Sequence, residues 1–165
     1  MKKLIAVIMT MVMLMGVAAC DKEGLGRGRR SGETETKYDI EKLQTYEGPM
    51  LEITSTIRAP LPDDMERDHT LYVNYDGRIF IPHNPITESG VTIDDDDYMD
   101  LYNFCVESVE NDTFADYSEL FEDGVTYRFV FYDEDGHSHL IYDGYIYNNE
   151  ELLDIVDIVA GYEMD

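Results

Sequence analysis

Two stretches rich in aromatic and β-branched residues each turn back around an Asp-Gly pair, and each is followed by a segment with helical spacing. Residues 70–82 (TLYVNYDGRIFIP) centre on Asp76-Gly77, a pair that tolerates the positive φ of a two-residue type I′ turn. Pro82 and Pro85 close this hairpin, because proline has no N–H to give a ladder. Residues 125–142 centre on Asp133-Glu134-Asp135-Gly136, either as a four-residue loop or as a two-residue Asp135-Gly136 turn. Both registers leave the same residues on the same face, since they differ by two in pairing sum. Phe129 and Phe131 then share the core face with Leu140 and Tyr142, while Val130 and Tyr132 share a partly wet face with His137 and His139.

The rest of the body fits around these hairpins. In residues 49–57, Leu51, Ile53, Ser55 and Ile57 alternate with Glu52, Thr54 and Thr56, which predicts a half-buried strand. Residues 58–69, with Pro60, Pro62 and Asp63-Asp64, read as a loop. Residues 94–110 predict a helix whose apolar stripe is Tyr98, Leu101, Tyr102, Cys105 and Val109. The aspartates Asp94 to Asp97 stand at its start, where one can cap and all meet the positive end of the helix dipole. Asp143-Gly144 is a turn or bulge before residues 145–147. Asn148 then caps a last helix, with Glu151 three positions on. Leu152, Ile155, Val156 and Val159 face inward, and Gly161 stops the helix. A short helix over residues 38–46 would use Ile40 and Leu43. The expected fold class is α+β, an antiparallel sheet of about five strands (one strand plus two hairpins) packed on two helices. The hairpin–helix order occurs twice, as a weak internal repeat would. A body spanning residues 48–165 is long enough to bury its own core.

Charge and cysteine content narrow the partners. The 165 residues hold 12 Lys plus Arg against 36 Asp plus Glu, a formal net charge of -24. Nucleic acid and polyphosphate are excluded as partners, because they need clustered Lys and Arg. Two cysteines exclude a disulfide scaffold and a four-cysteine zinc site.

The first 20 residues, MKKLIAVIMTMVMLMGVAAC, have a basic start at Lys2 and Lys3 and a 16-residue apolar run broken only by Thr10. That run is short of the roughly 20 residues a permanent span needs and has the three-part pattern of an export signal. Its end, Val17-Ala18-Ala19-Cys20, resembles the lipobox of bacterial prolipoproteins. The resemblance implies cleavage after residue 19, a diacylglycerol thioether and further acyl chains (palmitate among them) on Cys20, and a mature protein held on the extracytoplasmic face of the cell membrane. Several acyl chains hold far better than one, since each buried CH₂ contributes about 0.8 kcal/mol. The body resembles, in style, the small acidic lipoproteins of gut-type Gram-positive bacteria; no site residues carry over from that likeness. An aspartate after the lipidated cysteine, here Asp21, implies inner-membrane retention in an enteric Gram-negative envelope and little in a Gram-positive one, and the envelope type stays open.

Residues 20–47 then read as the lipidated N-terminus and a flexible tether. Gly24, Gly26, Gly28 and Gly32 are costly to order, and 27 residues at about 5–6 Å × √n reach about 30 Å. Arg27, Arg29 and Arg30 lie close to the anchor, whereas residues 50–165 hold 29 acidic residues and four arginines. The arginines either rest on anionic headgroups, at about 1 kcal/mol each, or serve only solubility.

Residues with chemical potential are few. Adjacent aspartates at 94–97 point about 100° apart on a helix and cannot converge alone on calcium. Asp133-x-Asp135-Gly136 fails as an EF-hand loop, because Phe131 and Tyr142 would occupy positions that require carboxylates. His137 and His139 are spaced for one strand face and are the candidate metal ligands; a third ligand would have to come from His69, His83 or an acid. Tyr132, His137 and His139 are the candidate binding residues, tyrosine supplying contact area and a hydroxyl at low entropy cost. Cys105 lies on the inward helical stripe and reads as a small buried hydrophobe. Ser55, Ser89, Ser108, Ser118 and Ser138 have no nucleophile-elbow context. No cofactor-binding motif is present.

The leading expectation is a non-catalytic binding module on a lipid anchor, with a basic protein, a glycan or cations as its partner. The alternatives are an envelope hydrolase working through a carboxylate pair and an inhibitor or immunity-type lipoprotein whose acidic face mimics an anionic ligand.

Overall fold

The alternating run Pro49–Ile57 forms strand β1 over the range its pattern predicts and lies inside the sheet. In the computed structural model, residues 38–62, 65–82, 90–120 and 124–163 are described. The leader, Cys20, the three tether arginines, His83, Pro85 and Ser89 lie outside the described residues.

The other strands are β2 (Asp68–Asn74), β3 (Arg78–Phe80), β4 (Val91–Thr92), β5 (Val125–Tyr132) and β6 (Ser138–Tyr145). The helices are α1 (Ile40–Leu43), α2 (Asp95–Asn111) and α3 (Glu150–Glu163). All strand pairs are antiparallel, in the order β4-β3-β2-β1-β5-β6. The class is α+β as expected, with six strands instead of five. The added strand, β4, is two residues that pair Val91 with Ile79 and Thr92 with Arg78, too short to show an alternation. Because the two hairpins flank β1 on opposite sides, they do not form a tandem repeat in the sheet.

One face of the sheet carries the core. Leu51 and Ile53 of β1, Leu71 and Val73 of β2 and Phe129 and Phe131 of β5 share one buried cluster with Leu43 of α1, Tyr98, Leu101, Tyr102 and Cys105 of α2, and Leu152, Ile155 and Val159 of α3. The opposite face holds Glu52, Thr54, Thr56, Thr70 and Tyr72, all half-buried, with polar pairs between strands. Thr54 and Thr70 hydroxyls meet at 2.9 Å, and the Thr56 hydroxyl donates to Asp68 Oδ1 at 2.7 Å. Among the described residues, no helix is long and apolar enough to cross a membrane.

Several boundaries differ from expectation, each for a local reason. The first hairpin has a three-residue loop, with Tyr72 opposite Phe80 and Gly77 N–H bonded to Asn74 O. Gly77 has φ +75° while Asp76 keeps a negative φ, so the turn is not type I′, which needs both central residues positive. The Asp76 carboxylate instead caps the loop, accepting from the Arg78 backbone N–H at 3.2 Å and from Arg78 Nε at 2.8 Å. In the second hairpin β6 runs straight through Asp143-Gly144. Gly144 is required there because a Cβ would meet the Tyr142 hydroxyl at 2.7 Å. The cap of α3 is Asn149, whose Oδ1 accepts from Leu152 N–H at 2.9 Å, and the helix passes through Gly161.

Candidate functional site

The β5–β6 hairpin positions the candidate residues, and a bulge decides their faces. Phe129 pairs with Tyr142, but Val130 pairs with Leu140 and Phe131 with His139, so one extra residue lies at Ile141. A bulge reverses the side-chain alternation beyond it. Leu140 is therefore on the outer face with Val130 and is 59 % exposed, not in the core as its spacing predicts. His139 moves to the core side, its ring 6.1 Å from that of Phe131. The same bulge buries the consecutive residues Ile141 and Tyr142.

At the hairpin tip, Asp133 gathers both histidines. Its Oδ2 lies 2.9 Å from His139 Nε2 and 3.3 Å from His137 Nδ1. Its Oδ1 accepts from the backbone N–H groups of His137 at 2.8 Å and Asp135 at 3.0 Å. The His139 hydrogen bond, helped by these amides and the neighbouring His137, holds the Asp133 carboxyl at about 2. The next residue is clasped by tyrosines: Tyr46 donates to Glu134 Oε2 at 2.7 Å and Tyr102 to Glu134 Oε1 at 3.1 Å. Tyr102 also packs edge-on against Tyr38 and Phe131. Below it, Tyr75 donates to Tyr132 O at 2.7 Å and Tyr98 to Tyr75 O at 3.1 Å. Burial pushes the phenols of Tyr75, Tyr98 and Tyr102 up. These tyrosines staple the tip to the core.

Tyr132 is not part of that cluster. Its hydroxyl donates to Glu52 Oε2 of the neighbouring strand β1 at 2.8 Å on the outer face, so the structure separates it from His137 and His139. His69 pairs with Ser55 at the far part of β2 and does not join the two histidines. Among the described residues, no three His, Cys, Asp or Glu side chains are grouped so as to hold a metal ion. Cys105 is free and fully buried, and burial pushes its thiol up.

Beside the tip, a cleft of about 380 Å³ opens between β6 and the end of α2. Residues 139–143 form one wall; Ser108, Val109 and Asp112 with the following turn at Phe114, Ala115 and Tyr117 form the other. β6 is an edge strand, so this wall is the rim of the sheet. The floor is aromatic, with Tyr142 5.6 Å from Tyr117 and 6.3 Å from Phe114. Burial and a hydrogen bond to Glu119 push the Tyr117 phenol up to about 12. Glu119 in turn accepts from the Asn148 N–H at 3.0 Å and from that of Tyr147, tying the turn to the end of β6.

The end of α2 gives the cleft its polarity. Asp112 caps the helix in the left-handed region at φ 55°, and the N–H groups of Asp112 and Thr113 both bond to Ser108 O. Ser108 is only 5 % exposed, and its hydroxyl oxygen is fully buried and finds no hydrogen-bond partner among the described residues. Asp143, on the other wall, has Arg128 Nε at 4.0 Å, and both side chains are half-exposed. Of the lining residues only His139 was legible as a candidate. The signal for Ser108 was present, however: it lies three residues after Cys105 on the inward stripe of α2, a hydroxyl where the pattern calls for an apolar group.

Against known proteins the chain stands apart: no family model, no curated protein and no solved structure matches it.

Proposed function

We propose that the protein is a lipid-anchored, extracytoplasmic recognition module whose acidic α+β domain binds a partner without transforming it. The observation that carries the reading is the Val17-Ala18-Ala19-Cys20 sequence behind a basic, 16-residue apolar leader, joined to a body with 29 acidic residues and four arginines. An anchor of this kind keeps a small domain at a membrane surface and fixes where its partner is met. Strong negative potential raises the local concentration of cationic partners and the rate at which they arrive. The geometry supports recognition through the wall of β6, where a cleft with an aromatic floor opens at the rim of the sheet.

Intact-mass analysis of the chain expressed in a bacterium tests the anchor. The expected product lacks residues 1–19 and carries a diacylglyceryl mass on Cys20, and Cys20→Ala abolishes both changes. An unprocessed leader or a bare Cys20 thiol overturns the reading.

A further inference from the structure

The outer edge of β6 is a row of backbone groups with no strand beside it. β6 ends the sheet, and its residues (Ser138–Tyr145) pair on one side only, with β5. At the tip the Asp133 N–H bonds to His137 O, and residues along an antiparallel strand alternate in the direction of their N–H and C=O. His139 therefore turns its backbone groups toward β5, while Ser138 and Leu140 turn theirs to the open edge. Asp143 does the same, because its partner Arg128 lies two residues from Val130, the partner of Leu140. Proteins protect such edges with proline, lysine or a bulge. β6 has no proline and no lysine, and the bulge at Ile141 is its one protection. Alongside this edge runs the cleft of about 380 Å³ between β6 and the end of α2. Glu119 closes its far end by accepting from the N–H groups of Tyr147 and Asn148.

We propose that an extended, basic segment of a partner protein adds to the edge of β6 as a further antiparallel or parallel strand. In strand addition, main-chain hydrogen bonds supply affinity and pockets for alternate side chains supply specificity. The open stretch from Ser138 to Asp143 is about 20 Å long at roughly 3.4 Å per residue, which suits a short segment. Side chains of the added strand alternate between two faces. One set enters the cleft over Tyr117 and Tyr142, whose rings lie 5.6 Å apart, and is apolar. The other set lies on the outer face with the exposed Leu140 and with Asp143. Lysine or arginine fits there, its stem covering Leu140 and its charge approaching Asp143. α2 and α3 carry acidic residues and no lysine or arginine, so charge complementarity selects a basic segment over a neutral or acidic one. A second copy of the chain would bring the same acidic helices to the interface and set bulge against bulge. The inference rests on the recognition reading and deepens it by naming the partner class, and it is independent of the lipid on Cys20.

The test titrates the full chain in neutral detergent with acetyl-Lys-Val-Lys-Val-Lys-Val-amide, read by calorimetry and by NMR of backbone amides. Saturable binding is expected, with shifts at Ser138, Leu140 and Asp143. Two N-methylated peptides decide the mode, one blocked at the lysine amides and one at the valine amides. Only one set of N–H groups faces β6, so one form should lose about tenfold in affinity and the other little. Leu140→Pro removes an N–H that faces the open edge and leaves the ladder to β5 in place. It should weaken binding about tenfold with a urea midpoint near that of the parent chain; if it does not fold, the methylated pair still decides. Exchange of every lysine of the peptide for glutamate should abolish binding. The proposal is overturned if the lysine peptide fails to saturate or leaves the β6 amides unshifted. It is also overturned if both methylated forms bind as tightly as the unmodified peptide, or if the glutamate peptide binds equally. A dimer in sedimentation that Leu140→Pro dissociates would give the edge to a second copy and overturn it too. A lipidated chain whose β6 edge ignores the peptide loses this inference and keeps its anchor; an unmodified Cys20 with an edge that binds gives the reverse.

Discussion

The tip of the β5–β6 hairpin and the cleft beside β6 lie a few residues apart on one strand, yet they treat their polar groups in opposite ways. At the tip, Asp133 takes two imidazoles and two backbone amides, and Glu134 takes two phenols. In the cleft, the Ser108 hydroxyl finds no partner among the described residues, Asp112 sits at the unfavourable pole of α2, and Asp143 lies 4.0 Å from Arg128 Nε. The difference teaches where to look in a chain with 36 acidic residues. Acids that take several internal donors, as Asp133 and Glu134 do, serve the fold.

The largest effect expected from breaking either region comes from their shared packing. Tyr142 is 3 % exposed and packs at tilted or edge-on angles against Tyr117, Phe114 and Phe129 beneath the cleft. Its hydroxyl also donates to Tyr145 O. Tyr142→Ala should cost about 3–5 kcal/mol, as large-to-small changes of buried aromatics do. A urea-unfolding midpoint close to that of the parent chain would mean that the floor of the cleft is not part of the core.

The tip comes next. Tyr102→Phe keeps the ring against Tyr38 and Phe131 and removes only the hydrogen bond to Glu134. A loss of about 1.5–3 kcal/mol in unfolding free energy is expected, the usual range for a bond to a charged acceptor. No loss would show that Tyr46 alone holds the tip.

Much of this architecture is legible in the residues, and its failures have a common cause. The bounds of β1 follow from alternation alone, and α2 follows from its stripe and from Asp94, whose side chain accepts from Asp97 N–H at 3.0 Å. Period-two reasoning places Leu140 inside and His139 outside, and both are reversed by the one-residue bulge at Ile141. Nothing in a string of alternating residues announces an insertion of one. The three-residue loop at Gly77 is missed in the same way, because Asp-Gly fits several turns. For the site, His137 and His139 were visible as a pair, but their role with Asp133 depends on loop closure. The cleft beside Ser108 and Asp112 forms only when β6 is laid beside α2.

The pH dependence of the tip sharpens the comparison further. The folded Asp133 carboxyl is held at about 2, first by the His139 hydrogen bond. A depressed carboxyl contributes stability that is full above its unfolded value of about 4 and is lost as pH falls toward its folded value. The stability gap between the parent chain and Asp133→Asn should therefore be wide at pH 5 and much narrower at pH 2. Urea midpoints at the two pH values measure it. A gap of constant width would assign the effect to packing rather than to charge.

The smallest stability effect belongs to the cleft, and its size is the point. Ser108→Ala removes a hydroxyl that bonds to nothing among the described residues, from a helix in which alanine is the better former by about 0.5 kcal/mol. Relief of a buried unsatisfied group acts in the same direction. The variant should be as stable as the parent chain or more stable by about 0.5–1 kcal/mol, read from urea midpoints. Loss of stability in Ser108→Ala would instead mean that the hydroxyl serves the fold, and the contrast between cleft and tip would disappear.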